Sequence, residues 1–177
     1  MSAVETLLVR NGLPGELAWD LSQVMRDTFE KRLKPGEVLC REGQDGDELW
    51  FLLEGSLRVE KRDFAGTPQP VAEVPAPAML GHVAALEGGR RTATCVASSA
   101  VVVRALPRRE ALRCLKEVSP SGDIFRRLLI SSMAAQLHRG NDRLRGLVKH
   151  TEEPTSEDLA KAEATYEGWG SGWGSDR

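Results

Sequence analysis

Cysteine is scarce in this 177-residue chain: Cys40, Cys95 and Cys114 are widely separated, odd in number and form no CxxC pair. That excludes a disulfide-built scaffold and leaves buried, reduced thiols as the expectation. Histidine is equally sparse. His82, His138 and His150 each stand away from any cysteine, so no metal site is expected. The opening Met1-Ser2-Ala3-Val4-Glu5 carries no basic, apolar leader, and no window approaches the ~18 consecutive apolar residues of a membrane span. A cytoplasmic protein with no membrane partner is expected. Neither sign of charge dominates: 24 basic and 26 acidic residues give a net charge of −2, which draws in neither nucleic acid nor acidic membrane. Catalytic signatures are missing too. The chain has no Ser-His-Asp or Cys-His arrangement and no Walker-type loop, and Asp45/Asp47 and Glu152/Glu153 read as turn carboxylates. A non-enzymatic protein is expected.

What is present is one globular core with a modest appendage, at 41% hydrophobic and 28% charged residues. Residues 1–28 carry helical spacing, with Leu7, Leu8 and Val9 followed by Leu17, Leu21, Val24 and Met25. Breaks at Asn11-Gly12 and Pro14-Gly15 predict two short amphipathic helices around a turn. From Phe29 the period becomes two. Strands are predicted at Phe29–Leu33, Val38–Cys40, Leu49–Leu53, Leu57–Lys61, Val71–Val74, Thr92–Ala97 and Val101–Leu106. Short strands at this spacing, without ~10–15-residue helices between them, argue for a closed antiparallel structure, a jelly roll or small barrel. A short helix over Arg108–Val118 closes the region 29–118. Residues 119–150 then form a long helix, with Ser121 or Asp123 as candidate cap.

Along that helix Ile130, Met133, Leu137, Gly140, Leu144 and Leu147 step by three and four residues, an a/d seam. A narrow stripe of this kind suits pairing of two copies as a homodimer; the other reading is that it covers the chain's own β-domain. The tail, residues 151–177, is acidic and then repeats Gly-Trp-Gly-Ser around Trp169 and Trp173. Its composition predicts flexibility. The two tryptophans read as anchors for a protein partner, as residues that fold back on the domain, or as a cloning remnant.

The densest signal is Met79-Leu80-Gly81-His82-Val83-Ala84-Ala85-Leu86-Glu87-Gly88-Gly89-Arg90-Arg91-Thr92-Ala93-Thr94, between two predicted strands. A glycine opening one helical turn leaves backbone N–H groups unpaired, and Arg91 can return to the same place. Guanidinium and free N–H groups suit a phosphate. An arginine beside a glycine-rich turn is also ordinary on a solvated surface, so the residues alone leave both readings open.

This stretch resembles the phosphate-binding cassette of the cyclic-nucleotide-binding domain family, F-G-E-[LI]-A-L-x5-R-x-A-[TS]. Lys34-Pro35-Gly36-Glu37-Val38, Glu42-Gly43, Gly46-Asp47 and Leu49-Trp50-Phe51-Leu52-Leu53-Glu54-Gly55 resemble the family's flanking turns and strands. The resemblance covers about residues 5–150. It implies a mainly β fold with flanking helices, an eight-stranded antiparallel β-roll followed by a long C-terminal dimerisation helix. It further implies a cyclic nucleotide ligand (cAMP or cGMP): Arg91 on the cyclic phosphate, Thr92 and the N–H groups of Val83 and Ala84 assisting, and Gly81 permitting the close turn. Gly140 and Asn141 would lie over the base. Leu80, His82 and Ala85 depart from the pattern. The family's glutamate, which accepts the ribose hydroxyl, is replaced by His82. Beside a phosphate this histidine is expected to protonate and lose its acceptor. Loss of that charge-assisted hydrogen bond costs roughly 10- to 150-fold in affinity. Two functional expectations follow. One is a stand-alone regulatory protein that senses a cyclic nucleotide and signals through protein contacts. The alternative is a degenerate roll acting as a ligand-independent scaffold. The acidic tail leaves no room for a DNA-binding helix-turn-helix after His150, so no DNA partner is expected.

Overall fold

A computed structural model describes residues 1–148; the side chains of residues 146–148 are outside that description. Two compact units result, Met1–Ala135 and the unit that begins at Gln136, and each is described by itself. Trp169, Trp173 and the rest of residues 149–177 lie outside the described residues.

The N-terminal helices form as their spacing predicts. In α1 (Ala3–Arg10), Ser2 accepts from the Glu5 N–H while Glu5 accepts from the Ser2 N–H, a reciprocal capping box. A 3-10 turn over Gly15–Leu17 leads into α2 (Ala18–Met25). Leu7, Leu8, Leu21, Val24 and Met25 are buried.

Eight antiparallel strands then build two four-stranded sheets. They are β1 (Phe29–Leu33), β2 (Val38–Cys40), β3 (Glu48–Glu54), β4 (Ser56–Arg62), β5 (Pro68–Pro75), β6 (Ala78–Leu80), β7 (Thr94–Ala97) and β8 (Val101–Pro107). The orders are β1-β8-β3-β6 and β2-β7-β4-β5. Chain neighbours thus alternate between sheets except at the β4–β5 hairpin. The sequence reading identifies seven of the strands; it missed β6, whose three residues run straight into the turn at Gly81. Thr92 stands outside β7, on a bend before it.

Strand β3 is buried on both faces, which explains its unbroken apolar run. Leu49 and Phe51 join α1, α2 and the later helices in one core. Trp50 and Leu52 point the other way, into a second core with Leu57, Leu80, Cys95, Val101, Val103 and Ala105. Strand β5 pairs only with β4 and carries Pro68, Pro70 and Pro75, residues an edge strand tolerates because no second neighbour needs their N–H.

After α3 (His82–Glu87), described with the site, come α4 (Arg108–Lys116) and α5 (Pro120–Val148). The cap of α5 lies earlier than expected. Ser119, rather than Ser121 or Asp123, accepts from the Gly122 N–H at 3.1 Å, with Pro120 as first helical residue. A serine cap followed by proline satisfies one N–H and removes another that has no partner. Ile124, Phe125, Leu128 and Leu129 of α5 are buried in the helix-side core. The seam is on another face: Ile130 and Met133 are exposed, and so are Leu137 and Leu144 in the second unit. The stripe therefore does not cover the β-domain through Ile130 or Met133, and the reading that it packs on the chain's own roll is corrected at those positions.

Candidate functional site

Strand β6 ends at Leu80, and Gly81 turns the chain with φ +73°. A Cβ at Gly81 would stand 2.6 Å from Arg91 Nη1 and 2.9 Å from Trp50 Cε3, so a glycine is required by both conformation and space. Helix α3 follows and ends at Gly88, whose N–H donates to Ala84 O at 3.0 Å. The chain then returns along a clasp of backbone bonds. Gly46 N donates to Gly89 O at 3.1 Å, Arg91 N to Gln44 O at 2.7 Å, and Gly43 N to Arg91 O at 2.9 Å. Residues 41–46 thus hold Arg91 from both sides of its peptide.

The Arg91 side chain is only 6% exposed. Its Nη1 donates to Gly81 O at 3.2 Å, and its guanidinium lies 3.8 Å from the centroid of the Trp50 ring. No carboxylate forms an ion pair with it among the described residues. Glu48, the acid of the neighbouring strand, accepts instead from Lys31 at 2.6 Å and from the Trp50 indole at 3.0 Å. Burial pushes the Arg91 pKa down, partly offset by the negative potential of Cys40, Glu48, Cys95 and Asp47. A buried cation with one carbonyl partner and an aromatic face is under-compensated, and its remaining N–H donors form a fork suited to an oxyanion.

His82 is also buried, 4% exposed, with Nδ1 unpartnered. Burial lowers its pKa below the ordinary 6.5. Desolvation favours the neutral imidazole and so opposes the pull of a neighbouring phosphate on the expected proton. Val83 is exposed and Ala84 buried on α3, and Thr92 is exposed beside Arg91. The structure brings Gly81 and Arg91 together and places His82, Val83, Ala84 and Thr92 in the adjoining backbone. Gly140 and Asn141 belong to the second unit and are exposed there.

Sequence reasoning missed Trp50 as a site residue. Within an apolar strand it reads as core, and only the fold shows that its ring carries Arg91. A separate open cleft of about 530 Å3 lies along α4, lined by Asp47, Arg108, Arg109, Leu112, Arg113 and Lys116. Much of its charge is internally matched, since Arg113 pairs with Glu110, Glu117 and Asp27, and Arg109 with Glu110. Among the described residues no cluster of three metal-binding side chains occurs, and no helix is long and apolar enough to cross a membrane.

Comparison with known proteins agrees with this geometry. A cyclic nucleotide-gated potassium channel of Mesorhizobium japonicum is 29% identical over 115 residues, 65% of this chain and 30% of the channel. The chain thus spans less than a third of that relative's length. A cyclic nucleotide-binding domain from Methylobacillus flagellatus is 26% identical with a TM-score of 0.67, over 80% of this chain and 76% of that one. The catabolite activator protein of Thermus thermophilus shares the fold at 18% identity and a TM-score of 0.62, over 73% of this chain and 59% of that one. The model of the cyclic nucleotide-binding domain family matches residues 30–118, half of the sequence, and with Arg91 returned onto Gly81 between β6 and β7 the chain belongs to that family.

Proposed function

We propose that this chain is a non-enzymatic, cytoplasmic regulatory protein that senses a cyclic nucleotide, cAMP or cGMP, through Arg91. The observation that carries this reading is the Arg91 guanidinium, buried without a carboxylate partner and held by Trp50 and Gly81. A cyclic phosphodiester supplies the missing charge and two acceptor oxygens for the fork. Gly81 keeps the backbone close, and the N–H groups of Val83 and Ala84, with Thr92, assist at the same anion. The signal leaves through protein contacts: a homodimer along the exposed Ile130, Met133, Leu137 and Leu144 stripe, and an unidentified protein partner that takes Trp169 and Trp173.

One observation favours a second reading, a roll that has lost its nucleotide and serves as a scaffold. His82 stands where the family's ribose-binding glutamate is expected, and it is buried, with its pKa lowered by that burial.

Thermal unfolding separates the two. With cAMP at about 100 times its dissociation constant, binding adds about 2.7 kcal/mol, raising Tm by roughly 5–10 °C. Under the sensor reading the wild type shows this shift and Arg91→Ala does not. An unmoved wild type in cAMP and cGMP supports the scaffold.

A further inference from the structure

The fold sets Cys40 and Cys95, distant in sequence, directly opposite each other on the antiparallel strands β2 and β7. Paired positions of this kind have Cα atoms about 4.5–5.5 Å apart, inside the ~4.4–6.8 Å range that a disulfide bridges. Their side chains share one sheet face, and both belong to the core cluster of Trp50. The Cys40 Sγ–H donates to Ala93 O at 3.7 Å. Both are reduced and buried in this structure, at 5% and 8% exposure.

Strand β2 is short, only Val38–Cys40, and lies at the edge of its sheet with β7 as sole neighbour. Its register shifts between Val38 and Cys40. A short, irregular edge strand opens at small cost, which admits a small oxidant. Directly after Cys40 comes the segment 41–46, whose backbone clasps Arg91.

We propose that Cys40 and Cys95 are a reversible disulfide-forming pair, oxidised by hydrogen peroxide, that staples β2 and the adjoining 41–46 clasp to β7. The inference goes beyond nucleotide sensing and holds whether or not Arg91 takes a nucleotide.

Cys40 is the attacking sulfur. It stands on the edge strand β2, whereas Cys95 lies on β7, paired on both sides, and the Cys95 neighbour and the positive charge of Arg91 lower the Cys40 thiol. Cys95 is pushed up by the Cys40 neighbour and by burial, and remains a thiol. The Cys40 thiolate breaks the peroxide O–O bond, giving sulfenic acid and hydroxide, which takes up a proton to become water. The Cys95 sulfur then forms the S–S bond and displaces the sulfenic oxygen as a second water. Two thiols and one peroxide thus yield one disulfide and two waters: the sulfurs are oxidised and the peroxide oxygens reduced. A dithiol reverses the step by exchange. Cys114, buried on α4 with its thiol raised by burial, is the internal control.

The test treats the full native chain with hydrogen peroxide, alkylates it after denaturation, and maps non-reduced peptides by mass. The expected result is a Cys40–Cys95 linked pair with Cys114 alkylated, reversed by dithiothreitol. Amide exchange across residues 38–46 slows about tenfold on oxidation. In Cys95→Ala peroxide leaves exchange unchanged, and Cys40 is trapped as sulfenic acid by dimedone. Absence of the Cys40–Cys95 link, a link through Cys114 instead, or a link without slowed exchange overturns the proposal.

Discussion

Arg91 takes a full positive charge into a place where the protein offers it one carbonyl and the face of an indole. Such a group is costly unless something else completes it, and that cost is the ground for proposing it as a recognition element. Its neighbour His82 shapes what is recognised. As a buried imidazole it offers no carboxylate to a ribose. Under the proposed function, His82→Glu raises cAMP affinity roughly 10- to 150-fold, measured by fluorescent-analogue displacement, and makes 2′-deoxy-cAMP the weaker ligand. Equal affinity of wild type and variant contradicts that role. Burial also ties His82 to pH. Its folded pKa lies below 6.5, so the unfolded chain binds the extra proton first. Its contribution is complete above the unfolded value and is lost as pH falls below it, by up to about 1.4 kcal/mol per pH unit. Urea unfolding between about pH 7.5 and pH 5.5 shows a falling stability that His82→Gln flattens. Arg91 and Gly81 were legible in the sequence because a short motif fixes their spacing. Trp50 was not, because its partner arrives from the connection between β6 and β7, far along the chain. The burial of His82 was not legible, because burial is not written in a motif.

At the scale of elements, the strands set off by turn residues were readable, the three-residue β2 included, while β6 was not, because its three residues run straight into the turn at Gly81. The cap of α5 shifted to Ser119 because a proline fits the first helical turn better than it ends a helix. The a/d stripe was recognised as a seam, but which surface it meets depends on tertiary packing. The structure buries Ile124, Phe125, Leu128 and Leu129 and leaves Ile130, Met133, Leu137 and Leu144 exposed. An apolar stripe left in water favours pairing with a second copy. Leu137→Arg is therefore expected to give monomers in multi-angle light scattering, with wild type dimeric. A dimer that survives the substitution rules out the seam as its interface.

The unit Met1–Ala135 joins two cores through β3, one shared with the helices and one inside the roll, and the proposed anion site sits where the second core meets α3. Family membership defines that architecture; the ligand is a matter for the site. The account rests on Arg91 as the group that holds a cyclic phosphate, and calorimetric titration of the purified chain with cAMP and cGMP, beside Arg91→Ala, tests it most directly. The account predicts saturable heat at one site per chain that the variant loses. No heat from either nucleotide with the wild type, or equal binding by Arg91→Ala, would contradict it.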